Sequence, residues 1–423
     1  MDPKIAPVAS SERIMLLDVL RGFAIFGILM VNMQYFFMPI TSMLAGHIAT
    51  TDAGRISEGF IKYFFEGKFY VLFSMLFGYG FWLFIKRKRS GGGSIIPLYR
   101  RRLLVLLLFG AVHIVLLWPG DILFFYALFG FLLILFRNRN ERSLLKWALV
   151  LVLVPKILMA LMVIIFQFAQ TDPAAAEAMA AGLQEREEYI AGFVSQAYSV
   201  YSGGTFTRIA AMRISEFQLM LPGVLFFYPV VLAMFLVGVW ASRRNIFGNY
   251  RENLPFFRKA FRWGLGTGLI FNAIYVYTFF RTETMGMPDI WGLLSTVFHA
   301  AGGIAFLAFY VSAIVLLIER GKFNIPAKYL APVGRMALTN YLLHSIICTT
   351  LFLPYGFGLF GRINVVEGIL LSILIFGLQI PFSRYWLEHF NYGPFEWLWR
   401  SLTYGNWQPF KKGIPSGGKV SVA

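Results

Sequence analysis

His113 sits inside an apolar run, and Asp121 follows eight positions later, beyond Trp118-Pro119-Gly120. Proline presets one dihedral of a tight turn and glycine supplies another, so the two helix ends meet and the carboxylate can reach the imidazole. Histidine suits proton transfer near neutral pH. A carboxylate beside it orients the ring, the logic of a base and its positioning partner. The bland alternative is that His113 bonds a neighbouring carbonyl and Asp121 caps the next helix.

The other candidates are also polar groups in apolar surroundings, where each costs free energy in lipid and is a functional suspect for that reason. Asp18 and Arg21 are three apart, share a helix face and can pair; Asn32 follows three turns up that face. A structural ion pair, with Asn32 as a bond between helices, is the alternative. Glu66 and Lys68 open an apolar run and could line a pocket with His113 and Asp121, or be a solvated helix start favoured by the macrodipole. His344 lies mid-span with Asn340 and Ser345. Lys156 follows Pro155 and either faces a tunnel or bonds carbonyls freed by the proline. Arg21, Arg100, Arg101, Arg102 and Arg335 could fork onto phosphates, or serve topology and lipid headgroups.

These residues need an apolar scaffold, and the composition supplies one. The 423 residues are 58% hydrophobic and 14% charged, against roughly half and about a quarter in soluble domains; the mean hydropathy is +0.66. Apolar runs near the roughly 20 residues that cross a bilayer, without strand-period alternation, exclude a transmembrane barrel. The fold class expected is an all-α polytopic transmembrane bundle of about ten spans: 16–38, 65–85, 101–118, 121–136, 145–167, 219–241, 260–280, 291–318, 335–354 and 365–387. The chain then forms one transmembrane domain over 1–423.

The net charge of +17 points to orientation and anionic lipid rather than nucleic acid, because the basic residues lie between apolar spans. They cluster in 86–102, at Arg137 to Lys146, Arg243 to Lys259, Arg320 to Lys328 and in the C-terminal tail, all on one side of this span list. Both termini are therefore predicted cytoplasmic. Residues 170–218 read as an extracytoplasmic helical insert, with Met179, Leu183, Ile190 and Phe193 on an apolar face. Residues 389–423 read as a cytoplasmic interfacial tail. Cys348, the single cysteine, excludes a disulfide framework and a thiolate metal site, and no metal is expected. The polar start, Met1 to Ser11, followed by a full-length span reads as a retained anchor. Gly78-Tyr79-Gly80 and Gly302-Gly303 read as close helix contacts, not phosphate loops. No internal repeat is visible.

The string Asp18-x-x-Arg21-Gly22 followed by Val31-Asn32 resembles the YeiB-like family of bacterial membrane proteins. Glu66-Gly67-Lys68-Phe69 with Leu72-Phe73-Ser74-Met75-Leu76-Phe77-Gly78 matches the same pattern, as do Gly120-Asp121-Ile122-Leu123, Gly334-Arg335-Met336-Ala337-Leu338-Thr339-Asn340-Tyr341-Leu342, and Gly393-Pro394-Phe395-Glu396-Trp397-Leu398-Trp399-Arg400. More distantly, the chain is similar to the catalytic domain of the heparan-alpha-glucosaminide N-acetyltransferases.

The resemblance implies a bacterial inner-membrane protein of a wider acyltransferase group. Such a protein moves an acyl group from cytoplasmic acyl-CoA, a cosubstrate, to a sugar or lipid-linked hydroxyl or amine at the far face. A homodimer is implied too. In this reading His113 is the base, Asp121 its orienting partner and Asn32 a donor to the oxyanion. In the N-acetyltransferases a histidine a little beyond the Asn is the catalytic group; His47 is its counterpart here, at a longer distance from Asn32, and ranks below His113. YeiB-like proteins commonly carry glutamine at the place of His344, which favours a hydrogen-bonding role. The rival functions are a transporter or lipid flippase, which often shows buried carboxylates at mid-depth, and a non-catalytic scaffold or sensor. Asp18, Glu66, Asp121 and Glu388 lie near span ends, which leans away from a carrier.

Overall fold

The computed structural model describes residues 14–46, 51–86, 94–282 and 289–412. Among them the secondary structure is helical, apart from an isolated bridge between Phe390 and Lys411. In chain order the helices are α1 (Met15–Asn32), α2 (Gln34–Phe37), a 3-10 helix (Ile40–Ala45), α3 (Asp52–Phe64), α4 (Phe69–Ile85), α5 (Ile96–Leu116) and α6 (Leu123–Leu135). Then come α7 (Glu141–Ala169), α8 (Pro173–Gly203), α9 (Phe206–Phe227), α10 (Pro229–Arg243), α11 (Leu254–Arg281) and α12 (Ile290–Glu319). The chain closes with α13 (Asn324–Arg335), α14 (Ala337–Phe352), α15 (Val365–His389) and α16 (Pro394–Tyr404).

Among the described residues, five stretches are long and apolar enough to cross a membrane: α1, α3–α4 together (Asp52–Ile85), α7, α12 and α15. The shorter α6, α10 and α14 are also apolar. The starts follow local chemistry. Asn140 accepts from Ser143 N and opens α7; Asp172 accepts from Ala174 N ahead of Pro173 and opens α8. Asn364 and Glu367 form a capping box that opens α15.

Three expectations are corrected. The helix of the first span is interrupted within 16–38: α1 stops at Asn32, α2 resumes after Met33, and a 3-10 helix follows from Ile40. The sixth is split at Tyr228 between α9 and α10, where Pro229 has no amide proton to continue the ladder. Arg100, Arg101 and Arg102 are not loop residues, because α5 already starts at Ile96, with Pro97 in its first turn.

Close helix approach explains much of the packing. A Cβ on Gly78 would overlap the Phe235 carbonyl, and one on Gly238 the Met75 carbonyl, so α4 and α10 touch backbone to backbone. Gly22 and Gly334 do the same for α1 and α13. In contrast, α7 leaves Leu149, Leu153, Ile157, Leu161, Ile164 and Phe168 exposed, an apolar flank far larger than water tolerates.

The insert folds back on the bundle. On α8, Ile190, Ala197 and Tyr201 are buried, at helical spacing. From α9, Arg213 donates to the Leu116 carbonyl at 2.7 Å and to the Tyr355 hydroxyl at 3.0 Å. Glu216 accepts from Thr41 Oγ1 at 2.8 Å and from the Tyr201 hydroxyl at 2.6 Å. Burial pushes the Glu216 carboxyl up, against the pull of these hydrogen bonds.

Candidate active site

The turn after α5 builds the site. Leu117 N and Trp118 N both return to the His113 carbonyl and end the helix, and Pro119 and Gly120 reverse the chain. Asp121 Oδ1 then lies 2.9 Å from His113 Nδ1, while Asp121 Oδ2 accepts from Phe124 N at 2.6 Å. Both sequence readings of Asp121 are thus realised at once: one oxygen meets the imidazole and the other caps α6. The two atoms are close enough to pair but are not aligned as a hydrogen bond; a carboxylate oxygen at that place favours the tautomer with its proton on Nδ1. This leaves the lone pair of Nε2 facing outward, and Ser345 Oγ, on α14, lies 2.8 Å from Nε2. His113, Asp121 and Ser345 are each 1% exposed. Tyr341 flanks the imidazole, with ring centroids 5.4 Å apart, and its hydroxyl accepts from Ile122 N at 3.4 Å.

A narrow cleft lies between Trp118 and the insert; His113, Asp121 and Ser345 are not among its walls. Its walls include Arg213, Glu216, Tyr201, Tyr35, Trp118 and Thr349, and its free volume of about 20 Å³ fits a water molecule. Trp118 packs against His113, with centroids 6.5 Å apart, and bonds the Tyr35 carbonyl at 2.9 Å. Asn32 ends α1 one turn before Tyr35 and is half-buried. It makes no hydrogen bond to His113, Asp121 or Ser345. His47 lies outside the described residues.

Glu66 and Lys68 do not join His113. They belong to a second buried cluster, at the start of α4. Lys62 pairs with Glu66 at 3.0 Å and lies 3.8 Å from Glu58. Tyr275 donates to Glu66 Oε1 at 2.9 Å, and Lys68 donates to the Lys62 carbonyl at 2.7 Å. His299 meets the Tyr275 ring edge to face, with centroids 5.0 Å apart. The pairing with α11 and α12 wins because Gly67, at φ +84°, turns the chain against His299 and Gly303. Lys156 makes no bond to the carbonyls around Pro155; its ammonium lies 5.8 Å from the centroid of the Phe227 ring.

His344 and Asn340 form a ladder on the neighbouring face of α14, about 100° round the helix. His344 Nε2 donates to Gln379 Oε1 at 2.8 Å, Gln379 Nε2 donates to the Asn340 carbonyl at 3.1 Å, and Asn340 Nδ2 donates to Ser383 Oγ at 3.0 Å. The resemblance implied hydrogen bonding for His344, and its partner is an amide.

At the far end of the molecule three of the quoted strings converge, those around Asp18, Gly334 and Glu396. Asp18 and Arg21 pair at 3.1 Å. Gly334 abuts the Asp18 backbone, which seats Arg335 at the end of α13 beside α1. Arg102 stacks on Trp399, 3.8 Å from its centroid, and its carbonyl accepts from Trp399 Nε1 at 3.0 Å. Glu396 caps α14 from α16, accepting from Leu338 N at 2.7 Å and Thr339 N at 3.0 Å. Burial pushes the Glu396 carboxyl up, and the Thr339 hydrogen bonds oppose that shift.

Sequence reasoning noted Ser345 without a role and missed Tyr341, Glu216, Lys62, His299 and Glu396. Only Lys62 carried a local signal: it stands four residues from both Glu58 and Glu66, the spacing of helix ion pairs.

Fold and site define an all-helical protein whose apolar helices suit a membrane, with buried polar clusters at opposite ends. A family described as "Protein of unknown function (DUF418)" matches residues 241–406, which hold α11 to α16. The uncharacterized protein YxaH of Bacillus subtilis (strain 168) is 35% identical, over 96% of this chain and 98% of its own. The uncharacterized protein YeiB of Escherichia coli (strain K12) is 31% identical, over 93% and 96%. An uncharacterized 39.9 kDa protein from the amylase 3' region of Bacillus acidopullulyticus is 30% identical, over 94% and 96%. The chain therefore belongs to the YeiB-like family. No solved structure matches it.

Proposed function

We propose that this protein is an acyl-CoA-dependent acyltransferase of the bacterial inner membrane. It crosses the membrane about ten times with both termini in the cytoplasm. The observation that carries the reading is the orientation of His113: Asp121 occupies Nδ1, so Nε2 is free to take a proton. The pair then works as base and orienting partner, and Asp121 stabilises the imidazolium that forms. Basic side chains support the direction of transfer. Arg21, Arg102 and Arg335 gather at one end, suited to the phosphates of CoA, while the cleft opens at the other, where a sugar or lipid-linked hydroxyl or amine would arrive. Arg102 and His113 are eleven residues apart on α5, about 16 Å along the axis, a span for an extended thioester arm. Asn32 supplies the amide for the developing oxyanion. Lipid, or a second copy in a homodimer, covers the exposed flank of α7.

Purified protein is tested for binding and consumption of acetyl-CoA and palmitoyl-CoA. His113→Ala is expected to keep binding and lose transfer; no binding of either acyl-CoA overturns the proposal. The buried Glu58–Lys62–Glu66 cluster favours a second reading, an ion-coupled carrier. In that case substrate accumulates in proteoliposomes only under an ion gradient, and acyl-CoA has no effect.

A further inference from the structure

We infer that Ser345 carries the acyl group as a covalent ester, so that transfer runs in two half-reactions; this rests on the transferase reading above. Asp121 Oδ1, His113 Nδ1, His113 Nε2 and Ser345 Oγ form a relay with steps of 2.9 and 2.8 Å across the ring. That is the spacing by which a base activates a hydroxyl. Other buried hydroxyls show what a structural role looks like here. Thr349 donates to the Ser345 carbonyl and Ser372 to the Gly368 carbonyl, each one turn back on its own helix. Ser345 departs from that habit and turns to the imidazole of another helix.

The surroundings supply the other parts. Tyr341 stands one turn before Ser345, on the same face of α14. Its hydroxyl accepts from Ile122 N, so its own proton is left to donate to the oxyanion. Thr349, one turn beyond Ser345, lines the cleft with Trp118, so one helical turn separates the cleft from the nucleophile. Burial of all three relay residues keeps water from the ester.

The steps balance. The Ser345 hydroxyl gives its proton to His113 Nε2 while Oγ attacks the thioester carbonyl. The C–S bond breaks, the sulfur takes the proton from Nε2, and CoA leaves as the free thiol. An acceptor hydroxyl or amine then gives its proton to Nε2 and attacks the ester carbonyl. The C–Oγ bond breaks, and Oγ recovers the proton.

The test combines two probes on the full chain in detergent: palmitoyl-CoA labelled in the acyl group, and a biotinylated alkyl fluorophosphonate, which esterifies activated serines. Label from both is expected on the peptide containing Ser345, found by peptide mass spectrometry on the unmodified protein. Palmitoyl label resists neutral hydroxylamine, which would cleave a thioester on Cys348, and is released by alkaline hydroxylamine, as an oxygen ester requires. Ser345→Ala abolishes both labels, and Asp121→Asn slows both, on the order of 100-fold or more, with unchanged elution as a folded particle. Acyl transfer at the wild-type rate by Ser345→Ala, with no covalent label on the unmodified protein, overturns the inference and leaves the transferase reading standing. Fluorophosphonate on Ser345 without consumption of any acyl-CoA supports the nucleophile and overturns the acyl-CoA reading. Neither label nor consumption overturns both.

Discussion

Two neighbouring faces of α14 hold two buried histidine sites that look alike by composition and differ in what they can do. On one face, Ser345 meets His113, whose far nitrogen meets a carboxylate. On the other, His344 donates to the amide oxygen of Gln379, and the chain of bonds runs on through Asn340 to Ser383. A carboxylate stabilises an imidazolium and so lets the ring gain and return a proton. An amide offers no such charge, and its bonds hold α14 against α15 instead. Neighbouring residues on one helix thus meet partners of different kinds, a carboxylate-backed imidazole for Ser345 and an amide for His344.

The sharpest way to break this contrast is to remove each histidine in turn. His113→Ala is expected to cut acyl transfer on the order of 10³-fold, whereas His344→Gln keeps it within about tenfold because the amide can still bond Gln379. Equal losses in folded protein would erase the distinction. Asp121→Asn comes next. It keeps an acceptor for Phe124 N, so capping survives at a cost of about 1 kcal/mol or less, while transfer falls on the order of 100-fold or more. Unchanged kcat would leave capping as the only role of Asp121. His344→Ala should lower stability by about 1–3 kcal/mol, since Gln379 is left buried without its partner; thermal unfolding in detergent reads this.

The smallest effect concerns pH. Glu396 and Glu216 both sit above the usual carboxylate range, with burial the first cause. A raised folded-state pKa contributes stability that is complete below the unfolded value and is lost as pH rises through the folded one. Unfolding midpoints should therefore fall as pH climbs from the carboxylate range toward neutrality. Glu396→Gln and Glu216→Gln together should flatten that slope, and a slope unchanged in the double variant counts against it.

Much of the site was legible where the contact is local. His113 and Asp121 meet across a short turn, so Pro119 and Gly120 were enough to place them. The same logic misled for Glu66 and Lys68. They start a helix near the same end, yet Glu66 bonds Tyr275, 209 positions away. Nothing near Glu66 in the chain names that partner. Ser345 escaped assignment for a similar reason: its partner is 232 positions away, and α14 carries polar residues on two neighbouring faces, so the pattern does not mark which of them turns to α5.

The sequence by itself determined the apolar helices, the basic loops between them and the His113–Asp121 pair, because hydrophobic length, charge placement and turn chemistry act over a few residues. It also determined family membership, through strings whose meeting places it did not reveal. Tertiary structure alone decided that Ser345 closes the relay, that Glu396 caps α14 from another helix, and that Glu66 belongs to a separate cluster. In helices apolar on every side, which face meets which neighbour is set by close packing of glycines and side-chain shapes across the whole bundle.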